Sequence, residues 1–262
     1  MTPTNAKHSG LERTSPTPDL DALRRAYGHL DGKALLEVMI RDVFPGRIAL
    51  SSSFGAEAVV LLDLVAQVDP ATPVLVIDTL KLFPETYAYI EMVTKRLGLT
   101  DVRRLKPDAA RLRRWDPDGN LWETEPDSCC HIRKVVPLDA ALPEFDAWIT
   151  GRKRFHGGQR SDLPVIEFMD GQFKINPLAP WSQAEIDAAF AERDLPAHPL
   201  VAEGYLSIGC QTCTRRVVGG EEVRAGRWAG SSKNECGIHL GREQAAAVSS
   251  PQSQIGQRQD NR

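Results

Sequence analysis

The chain has 262 residues, 42% hydrophobic and 26% charged, enough to bury a substantial core. A net charge of −3 gives no global signal for nucleic acid, no apolar run is long enough to span a membrane, and the opening residues lack the apolar centre of a secretory signal. We therefore expect a cytoplasmic protein that engages neither nucleic acid nor membrane.

Positions 1–18 are rich in Ser, Thr and Pro and read as a disordered lead, and 241–262 read as a disordered tail. One domain is expected over 19–240, with its last segment, 224–240, set apart by basic, glycine and serine residues. Apolar positions at helical spacing, Leu20, Leu23, Tyr27 and Leu30, then Leu35, Leu36, Met39, Ile40 and Val43, give two short helices broken near Gly32. The period then changes. Residues 48–50 read as a buried strand, 51–55 as a loop and 56–68 as a helix. The apolar run "TPVLVIDTL" is a second strand ending in Asp78 and Thr79. "PETYAYIEMVTKRLG" is a helix with Pro84 in its first turn and Gly98 past its end. "DVRRLK" and "DAWITG" are the third and fourth strands. "VIEFMDGQFKI" is a hairpin turning at Asp170-Gly171, and Ser182 with Glu185 forms a capping box that opens a helix over "SQAEIDAAFAERDL". Strands alternating with helices imply an α/β fold, an open and mostly parallel sheet with helices on both faces.

In such sheets ligands sit beyond the carboxyl ends of the strands. The first such end is "SSSFGAEA", which is not a Walker loop but offers hydroxyls and a glycine before a helix, a setting that suits an anion. The same serines would also serve as a plain helix cap. Asp78 and Thr79 end the next strand beside the same crevice.

The cysteines carry the sharper signal. Cys210 and Cys213 form C-x-x-C, which alone suits a redox pair, a zinc half-site or a cluster half-site. Cys129 and Cys130 are adjacent. Structural zinc usually draws on spaced knuckles, whereas a four-iron cubane gives neighbouring thiolates separate irons, so the combined set favours an iron–sulfur cluster over zinc. Arg133 and Lys134 follow the first pair, and Arg215 and Arg216 follow the second, where they would compensate thiolates or bring a cluster close to a negatively charged substrate, while any one of them alone also reads as a solvated surface charge. Cys236 is left over, in the polar stretch "GRWAGSSKNECGIHLG" among Arg224, Arg227 and Lys233, a setting that favours a thiolate nucleophile.

Taken in order, "SSSFGAEA", "DTLKLFPETY", "CCHIRKV", "ITGRK", C-x-x-C and "ECGIHL" resemble the assimilatory adenylyl-sulfate reductases, over most of the chain. The resemblance implies an adenine nucleotide α-hydrolase-like fold and a [4Fe-4S] cluster on Cys129, Cys130, Cys210 and Cys213. It implies that Ser51 and Ser53 hold the phosphate and ribose end of the nucleotide, with Asp78 and Thr79 beside them. By the same likeness Lys134 stands between cluster and substrate, Arg160, Arg224 and Arg227 bind substrate, and His239 acts with Cys236 in catalysis. The implied reaction converts adenylyl sulfate to sulfite and AMP through an S-sulfocysteine on Cys236. A separate thioredoxin- or glutaredoxin-type reductant completes it, in sulfate assimilation and cysteine biosynthesis. A homo-oligomer is also expected, and the cluster acts as a positioning and electrostatic element.

Two positions depart from the family pattern. Leu80 stands where many members have glycine after Asp-Thr, and "RKRFHGGQR" replaces R-R-x-Q-S after "ITG". The alternatives are a reductase of the 3′-phosphorylated nucleotide or of both, and, more remotely, an ATP-dependent RNA sulfur-transfer enzyme with a cluster or an iron–sulfur sensor that binds a nucleotide. The RNA enzymes usually carry S-G-G in the phosphate loop, which this chain lacks.

Overall fold

A computed structural model describes residues 18–157, 160–229, 233 and 235–240. All but the last residue of the expected lead at 1–18, the tail at 241–262 and the glycine-serine flank at 230–232 lie outside the described residues.

The strands are β1 (Ile48–Ser52), β2 (Val74–Ile77), β3 (Val102–Leu105), β4 (Ala147–Ile149), β5 (Ile166–Met169) and β6 (Gln172–Ile175). They form one sheet in the order β3-β2-β1-β4-β6-β5. Pairing is parallel from β3 to β6, with Leu50 opposite Val74 and Ile48 opposite Ala147, and β5 alone joins antiparallel at the edge. The hairpin that carries β5 turns at Asp170 and Gly171, both with positive φ.

The helices are α1 (Leu20–Tyr27), α2 (Gly32–Val38), α3 (Ala58–Val68), α4 (Pro84–Leu97), α5 (Ala109–Trp115), α6 (Leu121–Thr124), α7 (Pro126–Cys130), α8 (Val136–Ala141) and α9 (Gln183–Glu192). Gly98 closes α4 in the left-handed region, and both halves of the Ser182–Glu185 capping box are made. Serines 51 and 52, expected in a loop, instead end β1. Helices α5 to α8 fill a stretch where the sequence suggested no element, and each is too short to show a clear apolar period.

Strand residues alternate between two apolar layers, as a period of two requires. Ile48, Leu50, Val74, Val76 and Ile149 pack with Leu35, Leu36, Leu62 and Val65 on one face. Ala49, Leu75, Ile77 and Trp148 pack with Leu138 and Leu142 on the other. Both faces are covered, which is why the central strands read as unbroken apolar runs. Among the described residues, no helix is long and apolar enough to cross a membrane.

Candidate active site

The strand order places the ends of β1, β2 and β4 side by side, and a cavity of about 230 Å³ opens there. Ser51, Ser53, Thr79, Thr150 and Gly151 line its floor, with the first turn of α3 beside them. Of the three serines, Ser52 is buried and its hydroxyl accepts from the Phe54 N–H at 3.2 Å. The turn itself uses that hydroxyl, and Ser52 lines the cavity together with Ser51 and Ser53. Asp78 is buried and does not line the cavity: its carboxylate accepts from the Tyr87 hydroxyl at 2.7 Å and the Leu80 N–H at 3.1 Å. Leu80 sits at φ +60°, the left-handed conformation that explains glycine at this position elsewhere.

The cysteines converge from two distant segments. Cys129 and Cys130 end α7, which Pro126 opens and a π-helical turn, His131–Val135, carries on into α8. Cys210 reaches them because residue 210 bridges to Leu82 and the Gln211 N–H donates to the Lys81 carbonyl at 2.8 Å. None of the five cysteines is in a disulfide. Burial, together with the nearby Cys130, Cys210 and Cys213, pushes the Cys129 thiol up to about 12. Burial also acts to raise Cys210, yet Lys134, the Thr79 hydroxyl at 3.2 Å, Arg227 and Arg133 together hold it below the ordinary thiol range.

Lys134 and Arg133 serve this group in different ways. Burial acts to lower the Lys134 ammonium, but Cys210, Cys130 and Cys236 around it hold it above the usual lysine range. Arg133 is buried and donates to the Thr79 carbonyl at 2.9 Å and the Asp116 carboxylate at 2.5 Å. Arg215 and Arg216, expected beside the thiols, are instead exposed and paired with Glu221 and Glu203.

The remaining wall comes from the C-terminal part of the chain. Arg224, Arg227, Trp228, Glu235, Cys236 and His239 all line the cavity with Arg160. Arg227 lies 4.4 Å from the Trp228 ring, and its Nη1 is 3.4 Å from the Ile208 carbonyl it donates to. Gly209 makes this possible, since a Cβ there would fall inside the Arg227 guanidinium. The Lys134 and Lys233 ammonium groups stand 5.7 Å and 5.6 Å from the same indole, and Lys233 also pairs with Asp127. Cys236 is half-buried, and its charge bears on Lys134 and Arg224. The His239 ring stacks on Trp148 at 5.6 Å, and burial beside Arg152, Lys174, Arg160 and Arg224 holds the imidazole well below its usual range. It is therefore neutral near pH 7.

Sequence reasoning did not single out Trp148, Trp228, Glu57, Lys153 or Glu235. Lys153 pairs with Glu57 at 2.8 Å, and His156 approaches the same carboxylate at 3.6 Å. Burial with Lys153 lowers His156 to about 4. The altered stretch after "ITG" thus folds its own basic residues onto Glu57 at the start of α3.

Residues 47–216 match the phosphoadenosine phosphosulfate reductase domain family. The chain is 47% identical to the adenosine 5′-phosphosulfate reductase of Mesorhizobium japonicum, over 84% of this chain and 86% of that one. It is 36% identical to the phosphoadenosine 5′-phosphosulfate reductase of Gloeobacter violaceus, over 88% of this chain and 95% of that one. The crystal structure of the phosphoadenylyl-sulfate reductase from Candida auris superposes with a TM-score of 0.60 at 29% identity, covering 73% of this chain and 94% of that one. Yeast FAD synthetase, at 18% identity and a TM-score of 0.50 over 78% of this chain and 70% of that one, shares the fold alone.

Proposed function

This chain belongs to the phosphoadenosine phosphosulfate reductase domain family, and we propose that it reduces adenylyl sulfate to sulfite and AMP with Cys236 as the nucleophile. One observation carries this reading: Cys236 lines the same cavity as Ser51, Ser53, Arg160, Arg224 and Arg227. A thiol is thus set against a floor of hydroxyls and a wall of guanidinium groups that suit a phosphate joined to a sulfate.

The Cys236 thiolate attacks the sulfur of the sulfate group. The bond between that sulfur and the bridging oxygen breaks, and AMP leaves with the electron pair. Arg160, Arg224 and Arg227 bind the anionic groups and favour the charge that develops on the leaving phosphate. Neutral His239, held flat on Trp148, orients the segment that carries the thiol. A dithiol protein of the thioredoxin or glutaredoxin type then attacks the Cys236 sulfur. Sulfite departs, a mixed disulfide forms, and the second thiol of the donor resolves it, so two electrons pass from the dithiol to sulfur.

The four remaining cysteines fit a [4Fe-4S] cluster. They are free, soft thiols, and a bound cation would stabilise the thiolate form that burial, and then the neighbouring cysteines, disfavour at Cys129. Among the described residues, no three His, Cys, Asp or Glu side chains are arranged to hold a single metal ion. A cluster that presents a separate iron to each thiolate asks for no such arrangement. When bound it would supply electrostatic stabilisation, and the Lys134 ammonium interacts both with two of its proposed ligands, Cys210 and Cys130, and with Cys236.

The unphosphorylated nucleotide is favoured because the Mesorhizobium relative, named for it, is more similar than the Gloeobacter relative named for the phosphorylated one. The test is sulfite formation with reduced thioredoxin from each nucleotide. A kcat/KM higher for adenylyl sulfate by about a hundredfold is expected, the worth of a charged contact or two. Equal rates contradict the assignment.

A further inference from the structure

We propose that Glu235 occupies the position of the substrate's anionic group, and that an incoming nucleotide must displace it. The inference rests on the reading above that Arg160 and Arg224 bind substrate. Glu235 accepts from Arg160 Nε at 2.7 Å and Nη2 at 2.6 Å, and Arg224 Nη2 stands 3.8 Å from the same oxygen. The Nε–Nη2 edge of a guanidinium is one that phosphate and sulfate oxygens use, so the contact already made is of the kind the substrate needs.

The pairing is not a loose surface contact. The Arg160 side chain is 11% exposed and that of Glu235 21%. The cavity also explains why a carboxylate belongs there. Its lining includes Lys134, Arg152, Lys153, Arg160, Arg224 and Arg227 against two carboxylates, Glu57 and Glu235. Glu57 is engaged by Lys153, and Arg152 by Glu167 outside the lining, so Glu235 is the carboxylate that faces Arg160 and Arg224. An anion that takes those two arginines meets like charge from Glu235 unless the carboxylate moves.

Glu235 is also the chain neighbour of Cys236. Exchange of the carboxylate for substrate therefore shifts the backbone that carries the nucleophile, and arrival of the anion is coupled to repositioning of the thiol. Glu235 acts through Arg160 and Cys236 and is a positioning residue, not a catalytic one.

The test is equilibrium binding to the full-length, anaerobically purified protein in a Cys236→Ser background, where nucleotide is not consumed. Adding Glu235→Gln should tighten adenylyl sulfate by roughly tenfold, the worth of one charge-assisted contact no longer in competition, and should leave adenosine unchanged. Weaker or equal binding of adenylyl sulfate overturns the proposal and makes Glu235 a support for Arg160. If the parent binds no adenylyl sulfate, the functional reading itself fails and the inference falls with it. In the Cys236-containing protein without nucleotide, iodoacetamide should label Cys236 several-fold faster in Glu235→Gln, because the segment loses its tie to Arg160. An unchanged labelling rate overturns the coupling to the thiol.

Discussion

The Thr79 hydroxyl lies 3.2 Å from the Cys210 sulfur, though the two residues are 131 positions apart. Arg133 grips the Thr79 carbonyl at 2.9 Å, so the end of β2, the helix of the adjacent cysteines and the C-x-x-C turn meet at one residue. Thr79→Val keeps the shape and removes the polar contact with sulfur. With the proposed cluster bound, one lost hydrogen bond of about 1 kcal/mol should speed loss of iron and acid-labile sulfide in air by about fivefold. Loss at the wild-type rate would show that the contact contributes nothing.

Arg133 and Asp116 form a buried pair, with side chains 6% and 0% exposed. Asp116→Ala strands the guanidinium and should cost about 3–5 kcal/mol, or roughly 10 °C in Tm. The double variant Asp116→Leu with Arg133→Met should recover much of that loss, because no unpaired charge remains. Thermal unfolding of the three proteins checks this, and a double variant no better than the single one would contradict it.

Gly209 separates binding from stability. In Gly209→Ala the new methyl forces the Arg227 guanidinium aside, and a flexible side chain can yield without unfolding the protein. Tm should stay within a few degrees of wild type while KM for adenylyl sulfate rises by about tenfold. A large fall in Tm with unchanged KM would reverse the assignment.

Lys174 carries a pH signature. Burial, with Arg152 nearby, lowers its ammonium to about 8, although it stands over Trp148 at 5.3 Å and donates to the His239 carbonyl at 3.2 Å. The unfolded lysine, near 10.4, holds its proton longer, so the native state is penalised most below pH 8 and the penalty fades as pH rises toward 10.4. The unfolding free energy of wild type minus that of Lys174→Met should therefore climb between pH 8 and 10, by at most about 1.4 kcal/mol per pH unit. A flat difference would place the lysine in an ordinary solvated setting.

Much of this site was legible because rare chemistry marks it. Adjacent cysteines, a C-x-x-C and a lone basic-flanked cysteine stand out in any composition, and serines and Thr79 at strand ends follow from where parallel sheets bind ligands, whereas the Asp78 carboxylate turns to Tyr87 and the Leu80 N–H instead. Trp148 and Trp228 were not legible, since an indole in a sequence reads as core, and only the stacked His239 and the surrounding cations reveal their use. Arg215 and Arg216 misled because sequence proximity to Cys213 says nothing of which way an irregular turn points its side chains. Glu235 gave no signal, being one acid among many until Arg160 is seen to grip it.

The central claim is that Cys236 takes the sulfur group from adenylyl sulfate, and the first half of the reaction needs no external thiol. Anaerobic full-length protein given adenylyl sulfate alone should gain the mass of one SO₃ group on the peptide containing Cys236 and release about one AMP per chain, and a dithiol protein should then strip the adduct as sulfite. An adduct on any other cysteine, or AMP release by Cys236→Ser at the wild-type yield, would contradict it.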